Sequence, residues 1–330
     1  MMNGSFKKIA NGLRTNILCK RGIYCSVLLM LFIYTFLPFF VSNTLHAREG
    51  KGIIILNSDM SIYKYSLAQS ELKSKITNLK GEIDLGSKWI DEKKIKKTIF
   101  EINPDVIYCI GSKAYQMAYK LAGEKNIVFS LVINWRRHPI NKSTYGVSNE
   151  LLQGIQLMMY RYFFQDLSKI GILYSDTYNK EWFDDAVESA KDVGISIIGK
   201  SISKPEKINS ALNKLLPKVD ALWLIPDPIV ISDIESVNKL FIQCQAAGKP
   251  IYTYEKAFAD LGATLIMSAD ITTTIRQSAG MVSSIIEGRK IEEKVQNPAG
   301  SYIILNMKKV EEYGLNLNID ALDSVNEIVR

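Results

Sequence analysis

The sequence predicts an α/β protein of two lobes, each a parallel sheet packed between helices, joined by a hinge. Three observations carry this prediction. Short apolar runs alternate with longer amphipathic stretches, the pattern of strands linked by helical crossovers. The first runs are apolar at nearly every position, as strands covered on both faces must be. The residues from 48 onward exceed the roughly 100 to 200 typical of one domain, and the same series of elements occurs twice in them.

The N-terminal segment stands apart from both lobes. Lys7, Lys8, Arg14, Lys20 and Arg21 precede an apolar stretch over residues 23–41, and no acidic residue occurs before Glu49. A basic start, an apolar middle and a polar end closing on Thr44-Leu45-His46-Ala47 have the order of a secretory signal peptide, so residues 1–47 are expected to be removed after Ala47. The alternative is an uncleaved anchor, because the apolar run approaches the roughly 20 residues that span a bilayer. Pro38 breaks a helix near the end of that run and favours the leader. Cys25 sits at the wrong end of the run for a lipoprotein. Either way the globular part leaves the cytoplasm, and a periplasmic location is expected.

Setting the leader aside changes the electrostatics. The full chain carries 41 Lys and Arg against 34 Asp and Glu, formally +7, but five of the basic residues and none of the acidic ones lie in residues 1–47. The remainder is close to neutral, without the clustered basic face that nucleic acid requires, and nucleic-acid binding is excluded on that ground. Of four cysteines, Cys19 and Cys25 fall in the leader, leaving Cys109 and Cys244 in different lobes. Two buried thiols are expected there, since a chain of this length buries a core without disulfide staples.

The first lobe is assigned to residues 48–167. Strand-like runs at 52–58, 105–111 and 126–134 alternate with helical spacing at 61–79, 91–102 and 112–122. Ser112 is placed to cap the helix that opens after Gly111. A helical segment over 150–167 leads into the second lobe, residues 168–330. Its strand runs fall at 169–175, 195–203, 221–226, 250–255 and 264–270, and Gly194 stops a helix over 180–193. A helix over 271–288 is expected to complete the first lobe. No low-complexity linker separates the halves, and a monomer is expected.

Two apparent motifs fail on context. Gly194-Ile195-Ser196-Ile197-Ile198-Gly199-Lys200-Ser201 satisfies the P-loop expression, but its middle residues read as a strand following a helix, where a phosphate loop must follow a strand and open a helix. Catalysis lacks its residues: beyond the leader the one histidine is His138, and neither a zinc cluster nor a nucleophile elbow accompanies it. The Asp184-Asp185 pair reads as a solvated helix face. No metal, cofactor or enzymatic activity is expected.

Polar and aromatic residues instead collect where strands end, which is where open α/β sheets bind ligands. Ser58 follows the first strand, Ser112 and Lys113 follow the run 105–111, and Asn134 and Trp135 end the run that begins at Asn126. In the second lobe Tyr174 and Asp176 follow the first strand, Asp227 follows Ile225-Pro226, and Tyr254 and Glu255 follow Thr253. Together they predict an interlobe site in which Trp135, Tyr174 and Tyr254 cover apolar area. Asp176, Asp227 or Glu255 would pair a cationic group, while Ser112 and Lys113 at a helix start would meet an anionic one. An amino acid or amine fits such a site.

At Leu151-Leu152-Gln153-Gly154-Ile155-Gln156, Lys169-Ile170-Gly171-Ile172-Leu173-Tyr174, residues 219–228, and Ala246-Ala247-Gly248-Lys249-Pro250, the chain resembles the ABC transporter substrate-binding proteins, a family that includes tryptophan- and tyrosine-binding members. The resemblance extends to Gly262-Ala263, to Ile304-Leu305-Asn306 and to Gly314-Leu315. It implies a type I periplasmic-binding-protein fold of two Rossmann-like lobes, a small ligand enclosed when they close, and a membrane permease as partner. Gly111-Ser112-Lys113 matches the family's Ser/Thr-rich helix start. The family's Asp-Pro after the fourth strand is replaced by Asn134-Trp135-Arg136-Arg137, so the ligand is not carried over. A periplasmic sensor signalling to a membrane receptor is the alternative output, and an exported enzyme is a third.

Overall fold

The computed structural model describes residues 52–86 and 91–330; the expected leader, its cleavage site and the first two cysteines lie outside the described residues. The chain runs β1 (Ile53–Asn57), α1 (Tyr63–Lys73), β2 (Leu79–Asp84), α2 (Glu92–Ile102), β3 (Val106–Ile110), α3 (Ser112–Leu121), β4 (Asn126–Ser130) and β5 (Thr144–Val147). Helix α4 (Gln153–Phe163) then leads to β6 (Lys169–Tyr174), α5 (Asp176–Asp192), β7 (Ser196–Ser201), α6 (Ile208–Leu215), β8 (Ala221–Trp223), α7 (Ile234–Ala246), β9 (Ile251–Thr253) and β10 (Leu265–Ala269). The last elements are α8 (Ile271–Glu287), β11 (Val295–Gln296), β12 (Ser301–Asn306), α9 (Met307–Glu312) and β13 (Glu327–Val329).

Two sheets result. The first has the order β11-β5-β4-β3-β1-β2 with every pairing parallel. The second has the order β13-β12-β10-β9-β8-β6-β7, parallel except where β12 meets β10. This is the two-lobed α/β architecture that the alternating runs predict. Strands β1 and β3 are buried at every residue because helices cover both faces of the first sheet. One cluster on this sheet gathers Ile53, Val106 and Val128 with Ile275, Ala279 and Val282 of α8, and the Tyr108 hydroxyl meets Ser278 Oγ at 2.6 Å. So α8 packs on the first lobe although it follows a strand of the second.

Several boundaries differ from the sequence expectation, for local reasons. The helix expected over 61–79 stops at Lys73, and Leu79-Lys80-Gly81-Glu82-Ile83-Asp84 becomes an edge strand whose residues alternate between half-buried and exposed. Asn78, in the left-handed region at φ 61°, makes the turn between them. The run 126–134 is a strand only to Ser130, because Leu131 and Asn134 adopt φ of 56° and 51° and turn the chain into a short 3-10 segment, Trp135–Arg137. Ser112 is the first residue of α3, and the cap position belongs to Gly111 at φ 85°. Cys109 and Cys244 are free and buried.

The P-loop look-alike lies on β7 and the turn before it. Gly194, at φ 68°, follows α5, while residues 196–201 pair in parallel with β6. Gly199 has a packing reason: a Cβ there would lie 2.3 Å from the Phe183 ring, which stacks on Tyr174 at a 4.1 Å centroid separation.

Among the described residues the chain passes between the sheets three times, from β5 to β6, from β10 to β11, and from β11 to β12. These crossings form the hinge, and the carboxyl ends of both sheets' parallel strands face the gap beside it.

Candidate functional site

The cleft is built from turns that follow strands. On the first lobe the left-handed turn at Asn134 sends Arg137 toward the other lobe. Glu150 stands just past Ser148, where the chain leaves β5 and before α4 begins. On the second lobe the start of α5 and the Ile225-Pro226-Asp227 segment beyond β8 supply the facing surface.

Asp227 organises that surface. It is 1% exposed, and its Oδ2 accepts from the Ser175 amide (2.7 Å), the Ser175 hydroxyl (2.8 Å) and Asn179 Nδ2 (2.6 Å). Its Oδ1 accepts from the amides of Ile229 (2.9 Å) and Val230 (3.2 Å). A buried carboxylate needs such saturation, and here it fixes both the loop after β8 and the start of α5. Asn179 is drawn out of helical geometry (φ −135°, ψ 18°), which kinks α5 and turns its Oδ1 toward the cleft.

Bonds from the first lobe meet this surface. Asn134 Nδ2 donates to the Pro226 carbonyl at 2.8 Å. Arg137 donates through Nε to the Tyr178 carbonyl (3.2 Å) and through Nη2 to Asn179 Oδ1 (3.1 Å) and the Pro226 carbonyl (3.1 Å). Its guanidinium lies 5.0 Å from the centre of the Tyr178 ring. Farther along, Lys64 of α1 and Glu255 beyond β9 form an ion pair at 2.6 Å. The lobes are therefore in contact across the cleft.

Glu150 stands between two cavities. Its Oε1 accepts from the Asn134 amide and its Oε2 from the Ser148 hydroxyl at 2.9 Å. Loss of solvent pushes its carboxyl above the usual glutamate value, against the opposing pull of these donors and of Arg136 and Arg137. An open cavity of about 740 Å³ runs from Glu150, Asn134 and Arg137 along Asp176, Asn179 and Trp182. A smaller, partly open space of about 30 Å³ shares Glu150 and Trp182 with it and is walled further by Trp223, Tyr254 and Met267. Trp182 meets Trp223 edge-on at 5.0 Å, and Tyr254 meets Phe258 at 5.8 Å. Burial pushes the Tyr254 phenol up, which keeps it neutral.

The residues expected at the site divide into two groups. Asn134, Asp176 and Tyr254 border the cavities, with Asp176 also accepting from Ser201 Oγ at 2.6 Å. The others have structural partners. Ser58 Oγ accepts from the Ala114 amide (3.0 Å), so it supplies the side-chain cap of α3, and Ser112 Oγ accepts from the Ile133 amide (3.1 Å). Lys113 donates to the carbonyls of Leu85 and Gly86. Trp135 packs against the first-lobe core, Tyr174 stacks on Phe183, Asp227 is saturated as described, and Glu255 pairs with Lys64.

Sequence reasoning did not select Glu150, Arg137, Asn179, Trp182 or Trp223. Glu150 read as the first residue of a helix, and Arg137 as part of a departure from a family pattern. No local signal marks Asn179, which precedes the helix expected over 180–193, or Trp182, which lies on it. Among the described residues no group of His, Cys, Asp and Glu could hold a metal ion, and no helix is long and apolar enough to cross a membrane.

Two sheets joined by three crossings, with a cavity of polar walls and aromatic floor between them, define a hinged binding protein. The chain belongs to the ABC transporter substrate binding protein family, whose model matches residues 63–329. This is the family that the sequence resembles, and its members bind substrates rather than transform them. A tyrosine-binding protein of Clostridioides difficile (strain R20291) is 23% identical over 216 residues, covering 63% of this chain and 59% of that protein. Among solved structures, an ABC domain in complex with L-Trp from Streptococcus pneumonia superposes with a TM-score of 0.60 at 17% identity, covering 85% of this chain and all of that one. The ligand-free, open structure of a Clostridium difficile substrate-binding protein with adhesive properties gives 0.68 at 16% identity, covering 84% and 99%. At these identities the solved structures establish the shared fold.

Proposed function

We propose that this chain is an exported solute-binding protein that closes its lobes on a small molecule bearing an ammonium or related cationic group, an amino acid or amine, and delivers it to an ABC permease. The observation that carries this reading is Glu150, a half-buried carboxylate at the junction of the open cavity and the smaller aromatic-lined space beside it. Ionised, it stabilises a cation held in the adjoining cavity and opposes an anion there, so it discriminates by charge. Trp182, Trp223 and Tyr254 then offer apolar area to the rest of the ligand. That space of about 30 Å³ is smaller than an amino-acid side chain, so a ligand that uses these walls must widen it. The curated relative named for tyrosine and the structure holding L-Trp support an amino-acid-sized ligand.

The test is a thermal-shift screen of the purified protein against amino acids, amines, sugars and short peptides. A ligand that binds the folded form raises the melting temperature by mass action. An amine or amino acid should do so and lose the effect in Glu150→Gln. A sugar or a neutral solute as the sole hit overturns the assignment of charge. Mass spectrometry of the exported protein tests cleavage after Ala47, and a start at Met1 or Met2 would show that the leader is kept.

A further inference from the structure

The most unusual side chain in the cleft is Arg137. It belongs to the first lobe, yet its guanidinium is received by the second: by the Tyr178 carbonyl, Asn179 Oδ1 and the Pro226 carbonyl at 3.1 to 3.2 Å, under the face of the Tyr178 ring. Among the described residues it forms no ion pair. Its charge is compensated at longer range by Asp227 and Glu150. Three oxygen acceptors, one aromatic face and two carboxylates beyond hydrogen-bond reach are the elements that recognise an organic cation.

The parts of this nest are held by bonds other than those to Arg137. Asn179 keeps its orientation through its Nδ2 bond to Asp227, and Pro226 is held by the loop that Asp227 staples and by Asn134. The acceptors therefore remain in place when a guanidinium leaves. We infer that the acceptor nest of Tyr178, Asn179 and Pro226 is the cation subsite for a guanidine- or amine-bearing ligand, and that Arg137 occupies it as a tethered pseudo-ligand until such a ligand displaces it.

This inference rests on the proposed clamp and deepens it by naming the chemical class and the chain's own competitor. An intramolecular group competes at an effective concentration set by its tether, and it lowers the apparent affinity of the free ligand by that factor. Removing it should raise affinity. Arg137 as an anion receptor makes the opposite prediction, because its removal would then abolish binding of a ligand carboxylate.

Calorimetric titrations with agmatine, arginine and putrescine, with glutamate and glucose as controls, distinguish these cases in the wild type, Arg137→Ala and Arg137→Lys. With far-UV circular dichroism unchanged, Arg137→Ala should bind the guanidine and amine probes about tenfold more tightly than the wild type, an order set by the free energy of one strong charged hydrogen bond. Arg137→Lys should fall between them, since its ammonium still competes with fewer donors. Unchanged or weakened binding of the cations in a folded Arg137→Ala overturns the pseudo-ligand. Glutamate binding that Arg137→Ala abolishes also overturns it, while leaving a functioning clamp. If no probe and no solute of the earlier screen binds any form, the clamp itself fails. Should Arg137→Ala not fold, Arg137→Gln, which keeps most of the side-chain volume and removes the charge, is held to the same criteria.

Discussion

The side-chain amide of Asn134 donates to the main-chain oxygen of Pro226 at 2.8 Å, joining a left-handed turn of the first lobe to the loop that follows β8 in the second. Asn134 thus has two roles, one in the backbone (φ 51°) and one in lobe contact, and substitutions separate them. Glycine keeps the turn and deletes the bond; valine deletes the bond and strains the turn. Asn134→Gly should lose about 1 kcal/mol, and Asn134→Val about 1 to 2 kcal/mol more. Melting temperatures should fall in that order, and small-angle scattering should show a more open ligand-free form for both. Scattering identical to the wild type in Asn134→Gly would mean that the bond does not hold the lobes together.

Asp227 read from sequence as a ligand contact, but its five hydrogen bonds give it a structural task. Asp227→Ala leaves buried donors on Ser175, Asn179, Ile229 and Val230 without an acceptor. A loss of about 3 to 5 kcal/mol is expected, seen as a lower melting temperature without any ligand present. Asp227→Asn should be intermediate, since one oxygen can still accept. An Asp227→Ala protein that melts like the wild type but no longer binds would restore the original reading of a direct contact.

That contrast shows what was legible in the chain. Parallel strands such as Ile53-Ile54-Ile55-Leu56 announce themselves because burial on both faces forces an apolar run, and the repeated strand-helix series revealed two lobes. Strand β2 did not, because an edge strand with Lys80 and Glu82 outward resembles the end of an amphipathic helix. At the candidate site, segments beyond strand ends line the cavities, but sequence position does not tell which polar group is saturated by its own fold. Ser58 and Asp227 are consumed by capping and stapling, whereas Glu150 and Arg137 face the cavity from crossover and turn segments. The kink at Asn179 depends on a bond to a residue 48 positions away, which no local pattern encodes.

Gly199 tests the explanation of the false phosphate motif. Its missing Cβ makes room for the Phe183 ring, and that ring stacks on Tyr174 at 4.1 Å. Gly199→Ala should therefore destabilise the second lobe by about 1 to 3 kcal/mol through overpacking. Circular dichroism melts would register it, and ATP should alter neither variant nor wild type. ATP-induced stabilisation of the wild type, lost in Gly199→Ala, would revive the nucleotide reading.

The pair Lys64–Glu255 bridges the lobes at 2.6 Å but is about one-third exposed on each side. Screening limits such a pair to roughly 0 to 1 kcal/mol, so Lys64→Met should change the melting temperature little. Its effect should appear in kinetics, because the pair joins the lobes only when they meet. Ligand release measured by stopped-flow fluorescence should quicken in Lys64→Met, and salt should quicken it in the wild type alone. Equal salt dependence in both would remove the pair from the closing contacts.

Glu150 predicts how the protein responds to pH. Desolvation raises its folded-state value above that of an unfolded glutamate, so between the two values the native protein binds more proton than the unfolded chain. Stability contributed by the protonated form is then present below the ordinary glutamate value, and it is lost as pH rises through Glu150's raised value. Glu150→Gln removes this dependence while its amide oxygen can still accept from Asn134 or Ser148. Melts from about pH 4 to about pH 8 should show Glu150→Gln gaining on the wild type as pH rises, with the gain vanishing at the acid end. A cationic ligand reverses the balance, because it favours the ionised carboxylate: wild-type affinity for an amine should fall as pH drops through the raised value, and the Glu150→Gln profile should be flat. Parallel pH profiles for the two proteins, in melting and in binding alike, would show that Glu150 neither titrates in this range nor meets the ligand.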